Sequence, residues 1–137
     1  MEVHYQLSDD EFESQFANCK LDPSVFSHEA HLRLAWIHLR KYGIDTAVEN
    51  IVTQLQQFVS HAGAADKYHH TLTIAAVHAV NHFIVRSHID NFSDFIAESP
   101  QLRDKFRELI NSHYSIDIFR NEDARRHYIA PDLQPFE

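Results

Sequence analysis

The chain has 137 residues, 20 acidic against 12 basic side chains for a formal net charge of −8, 44% hydrophobic residues and one cysteine. That length suits one domain, and the apolar content is too high for a disordered chain. The acidic balance, with no basic face, argues against nucleic acid and anionic membranes as partners, and no apolar run is long enough to span a bilayer.

The first residues include Asp9, Asp10, Glu11 and Glu13, unlike a signal peptide. Cys19 is the only cysteine, so no internal disulfide forms and a reducing cytoplasm is the expected compartment. Two glycines and four prolines in this length favour helices over short strands. The expected fold is all-α: a single domain, 1–137, built as an up-and-down bundle of about five to six helices.

In chain order, Ser8 and Glu11 read as a capping box opening a short helix faced by Phe12 and Phe16. Cys19 then reads as a small buried hydrophobe. Pro23 marks a turn. Ser27 caps a helix over 28–42 that Gly43 ends. Its wheel puts Glu29, Arg33 and Arg40 outward, and His28, His31, Leu32, Ala35, His38, Leu39 and Tyr42 inward. Leu34 and Ile37 fall on the flank.

Asp45 is the expected cap of a helix over 46–62, which Gly63 closes. Asp66 is the expected cap of the next, over 67–86, with His69, Leu72, Thr73, Ala76, Ala79, Val80 and Phe83 inward. A short helix or turn follows over 91–97. Ser99 and Pro100 start another over 101–111. The last short helix covers 122–128, and the Pro131 and Pro135 tail is extended.

Histidine is in excess, with twelve residues. Short loops make consecutive helices antiparallel, so the helices that carry His28, His31 and His69 should start at one end of the bundle. The next long helix would return His113 and Tyr114 to that end. A helix N-terminus disfavours imidazolium, and neutral imidazole is the form that binds metal or acts as a base. Three such histidines would hold one divalent transition metal, with Zn, Fe, Ni and Mn all compatible. The alternatives are a metal-free polar pocket and histidines that only hydrogen-bond within the fold.

His28-Glu29-Ala30-His31 is one residue short of metalloprotease spacing and is set aside on that ground. His78 and His82 have chelating i,i+4 spacing but face away from the apolar stripe. His4, His61, His88 and His127 are expected in solvent. Thr73, one turn after His69, either contacts a ligand or bonds back to its own helix. Arg125 and Asp132 flank Pro131 and either pair with each other or serve a ligand.

The segments Phe26-Ser27-His28-Glu29-Ala30-His31-Leu32, Lys67-Tyr68-His69-His70-Thr71-Leu72-Thr73, Ala124-Arg125 and Pro131-Asp132-Leu133 resemble an uncharacterised bacterial family of small all-helical proteins. The resemblance covers most of the chain after residue 25. It implies that His28, His31, His69, Thr73, Arg125 and Asp132 are family positions, and it implies no activity. It also implies an acidic residue at the position of His70, where this chain departs.

Two functions fit. One is a metal-dependent enzyme acting on a small molecule, with metal ligands His28, His31 and His69, catalytic residues His113 and Tyr114, and ligand contacts Thr73, Arg125 and Asp132. The other is a non-catalytic module that binds a small molecule or a protein, a second copy of the chain included. The flank residues Leu34 and Ile37, with Ile74 and Val85, would supply its apolar surface.

Overall fold

The computed structural model describes residues 2–136. The all-α class read from the sequence is what it shows, with no strand among the described residues. None of their helices is long and apolar enough to cross a membrane. The chain divides into two compact units, Met1–Tyr68 and His69–Glu137, within the span read as one domain.

In the first unit, α1 (Asp9–Ala17) opens on the expected capping box. Ser8 Oγ accepts from the Glu11 amide at 3.1 Å, and the Glu11 carboxylate accepts from the Ser8 amide at 2.9 Å. Two helix-end donors are thereby satisfied. At the other end, Cys19 stands at φ 56°. Its amide donates to Phe16 O at 3.1 Å, and that of Lys20 donates to Gln15 O at 2.8 Å. These are the two bonds of a Schellman close, with cysteine where glycine is usual. Cys19 is thus held half-buried by the turn, not buried in the core as expected.

Helix α2 (His28–Tyr42) is capped by Ser27 Oγ, which accepts from Ala30 N at 3.1 Å. Gly43, at φ 81°, both ends α2 and precedes α3 (Ile44–His61). A one-residue reversal needs this left-handed backbone, which glycine adopts without steric cost. It also starts α3 earlier than predicted. Asp45 is therefore not the cap but a first-turn residue, where its charge still suits the helix dipole.

Helices α2 and α3 pack as a hairpin, and α1 lies against both. Phe16 stacks on Phe58 with ring centroids 4.8 Å apart, and Phe26 closes the cluster at 4.9 and 5.3 Å. Each such ring pair adds about 0.5–1.5 kcal/mol beyond area burial.

Every residue of α2 from Leu32 to Leu39 is buried. This corrects two expectations. Leu34 and Ile37, read as a flank for a partner, are 0% and 2% exposed. Arg33, read as outward, is also buried. Its guanidinium is occupied inside the unit by His4 O, Leu7 O and the Asp9 carboxylate.

In the second unit, α4 (His70–Ile84) begins later than predicted. Residues Ala65–Lys67, which belong to the first unit, form a 3₁₀ turn, and His69, not Asp66, is the cap. Helix α5 (Phe92–Ala97) is capped by Asn91, whose side chain accepts from Asp94 N at 2.9 Å. The helix expected over 101–111 is broken at Lys105 (φ −129°, ψ 34°) into α6 (Pro100–Asp104) and α7 (Phe106–Asn111). No glycine or proline marks that break. Leu102 before it and Ile110 after it are both fully buried.

Helix α8 (Glu122–Arg126) and α7 pack against α4, whose buried Ala75, Ala76 and Ala79 present little bulk. Thr71, overlooked in the sequence, fastens the chain after α8. Its hydroxyl donates to His127 O at 2.7 Å and accepts from Ile129 N at 3.1 Å. The tail is not helical, as expected, and it is tied to α7's end through Leu133 N, which donates to His113 O at 3.0 Å.

Candidate functional site

The predicted histidines divide between the units. His28 and His31 belong to the first and His69 to the second. His28, read as core-facing, is exposed. It is the first residue of α2, and a wheel gives the direction of a side chain but not how far the core extends beneath it. His31 does turn inward. Its Nε2 is shielded from solvent and has no hydrogen-bond partner. Burial, with the nearby His28 adding to it, pushes its pKa down to about 4. His31 is therefore a neutral imidazole at neutral pH.

His69 works as a helix cap. Its Nδ1 accepts from Leu72 N at 3.0 Å, and its Nε2 donates to Ile118 O at 2.7 Å. A backbone amide can only donate and a carbonyl can only accept, so the proton sits on Nε2. Both ring nitrogens are occupied. Thr73 Oγ1 donates to His69 O at 2.7 Å, the bond back to its own helix.

His69→Ala is expected to cost about 2 kcal/mol, combining a lost cap with an unpaired Ile118 carbonyl. His69→Asn should recover about half of that, since asparagine caps well. Urea unfolding of the two variants measures the difference, and equal losses would remove the capping role.

Two of the remaining predicted residues, Tyr114 and Asp132, tie the segment after α7 to the chain end. Tyr114 is buried, and its hydroxyl donates to Ile129 O at 2.8 Å. Burial, followed by the neighbouring Tyr128 and Asp132, raises its pKa. Asp132 accepts from Ser115 N at 2.9 Å and from Ser115 Oγ, bonds that hold its carboxyl below the usual range. Arg125 lies 3.5 Å from Glu122.

His4, expected in solvent, is fully buried. The 3₁₀ turn Val3–Gln6 folds it against α2. With Glu2 and Glu29 it forms a group of three ligand-type atoms within 4.8 Å of one another. The neighbours of its ring decide what the group suits. His4 Nδ1 lies 3.4 Å from Arg33 Nη1, a group that only donates. The proton therefore belongs on Nε2, which donates to Glu29 Oε2 at 3.2 Å and lies 3.4 Å from Glu2 Oε1.

A metal on Nε2 would force that proton onto Nδ1, donor against donor. The group thus suits a proton better than a metal ion. Burial lowers the pKa of His4 against the opposing hydrogen bond to Glu29, and Arg33 adds to the lowering. Burial likewise pushes Tyr5 up to about 12, with the Glu29 charge adding to it.

In the second unit a cavity of about 220 Å³ lies between α4, α6, α7 and the tail. His82, Phe83, Gln101, Leu109, Ser112 and His113 line it, and Gln134, Pro135 and Phe136 close one side. Among the described residues no Asp, Glu, Lys or Arg lines it.

His113 secures the tail from this wall. Its Nδ1 bonds to Gln134 O at 2.9 Å, and its ring stacks on Phe136 with centroids 4.0 Å apart. A carbonyl accepts only, so Nδ1 carries the proton and Nε2 keeps a lone pair. This is the arrangement that orients a ligand-binding or base-competent imidazole.

His82, read as facing away from the apolar stripe, is only partly exposed and belongs to the cavity. Its i,i+4 neighbour His78 lies 6.3 Å from the Phe136 ring. The tail covers this face, and a helix wheel has no knowledge of the tail. No family model, curated protein or solved structure matches the chain.

Proposed function

We propose that this protein binds a small molecule in the second unit, in the cavity that α4, α7 and the C-terminal tail enclose. One observation carries the reading: two histidines, His82 and His113, share a cavity of mixed apolar and neutral polar lining with no charged side chain among the described residues, and the His113 ring is held by a backbone carbonyl in a single tautomer. Convergent polar groups in an apolar, largely preformed hollow are the usual signature of a ligand site.

The volume favours a small occupant. Drug-sized sites run to about 300–1,000 Å³. His69 and His4 fit this role less well, since both have their two ring nitrogens engaged.

A fragment library screened by ligand-observed NMR tests the reading, with hits mapped on the histidine Cε1–Hε1 resonances. Hits are expected to move His82 and His113 together, and Phe136→Ala should weaken them by about fivefold, the scale of about 1 kcal/mol. A screen whose hits all map elsewhere, or which gives none, would sink the proposal.

A further inference from the structure

We infer that the ligand of the His82–His113 cavity is an uncharged single-ring molecule that carries one hydrogen-bond donor and one acceptor, such as a cyclic amide or an azole. The inference rests on the preceding reading of that cavity as a binding site, and it adds the chemistry of the occupant.

Size comes first. An apolar protein cavity of ~150 Å³ accepts benzene. The 220 Å³ here admits one ring with a substituent or two. Charge comes next. Among the described residues the lining has no carboxylate, ammonium or guanidinium. An ionic ligand would lose part of its hydration and meet no counter-charge, which disfavours it.

The hydrogen-bond pattern then narrows the class. His113 Nδ1 donates to Gln134 O, so its Nε2 offers a lone pair. His82 has the opposite polarity. Its Nδ1 is shut off from solvent and has no hydrogen-bond partner, whereas its Nε2 is not so enclosed. A buried N–H without an acceptor is rarer and costlier than a buried lone pair. The His82 proton therefore belongs on Nε2. One imidazole accepts and the other donates. A ligand that satisfies both must donate to His113 and accept from His82. The Phe83, Leu109 and Phe136 side chains supply apolar walls for the body of a ring.

Four probes test this with the full-length protein, read on the histidine Cε1–Hε1 resonances. They are 2-pyridone, N-methyl-2-pyridone, benzoate and benzylammonium. Expected are saturable shifts of His82 and His113 with 2-pyridone, at least tenfold weaker binding of the N-methyl analogue, and no shift with either ion. Equal binding of the N-methyl analogue, or tighter binding of an ion, overturns the ligand class. So does failure of 2-pyridone where library fragments do move the two histidines. If neither the probes nor any fragment moves them, the binding-site reading itself fails.

Discussion

Replacing Arg33 by methionine is expected to lower the stability of the protein by about 3 kcal/mol, the scale for breaking a buried charge network. The Asp9 ion pair does not supply most of that. Asp9 is half exposed, and a pair open to water on one side is worth little. The larger part comes from the backbone. Arg33 Nη1 donates to His4 O at 2.6 Å, and Nη2 donates to Leu7 O at 2.9 Å.

Both carbonyls belong to the segment that folds back on α2, and methionine offers them no donor. A hydrogen bond involving a charged group contributes about 1.5–3 kcal/mol, and the stranded carbonyls add their own cost. The guanidinium also lies over the Phe12 and Tyr5 rings at 5.0 and 5.8 Å, contacts a thioether replaces only in part. Arg33→Lys should fall between, because a point charge cannot serve a planar fork of partners. Asp9→Asn should cost under about 1 kcal/mol. Urea midpoints of the three variants give the ranking. A methionine variant within about 1 kcal/mol of the parent would show that the network orders the segment without stabilising it.

This network also shows where a sequence stops being informative. The caps of α1 and α2 were legible because Ser8 and Ser27 bond to amides three residues away. The His69 cap uses the same geometry and escaped notice, since an imidazole is not among the usual capping side chains. The all-helical class followed from periodicity and scarce breakers. The burial of His4 and Arg33 did not, because they meet across 29 residues. Their pairing is a property of how one turn lies on one helix, beyond the reach of any local window.

The candidate site has the same history. His113 was singled out for its place at a helix end, and it does line a cavity. Tyr114, singled out with it, is committed to Ile129 O. His82 was set aside because the tail that encloses it is distant in sequence. The wheel correctly assigned His31 and His38 inward, and it failed at the two helix ends, His28 and Tyr42, which are exposed.

Acid is expected to destabilise the fold well above the range in which carboxylates titrate, and His31 should be a leading cause. Its pKa in the folded protein is about 4, against an ordinary value of 6.5. Between those values the unfolded chain takes up a proton that the folded one refuses. The stability His31 contributes as a neutral group is therefore complete above about pH 6.5 and is lost as pH falls toward 4. The loss amounts to about 2 kcal/mol at pH 5.

His4, His38 and His70 have lowered pKa values as well, chiefly through burial, so they act in the same direction. Carboxyls with lowered values, among them Glu13 and Asp132, add their loss at lower pH, as they become protonated. Thermal unfolding of the parent should therefore show a midpoint that falls steadily from pH 7 to pH 5. In His31→Asn the unfolded chain no longer gains that proton, and about 2 kcal/mol of the pH-dependent loss should vanish even if the variant is less stable at pH 7. The slope, not the absolute midpoint, is the diagnostic. A variant whose stability falls with pH as steeply as the parent's would mean that His31 accepts a proton in the folded state, with its Nε2 open to solvent.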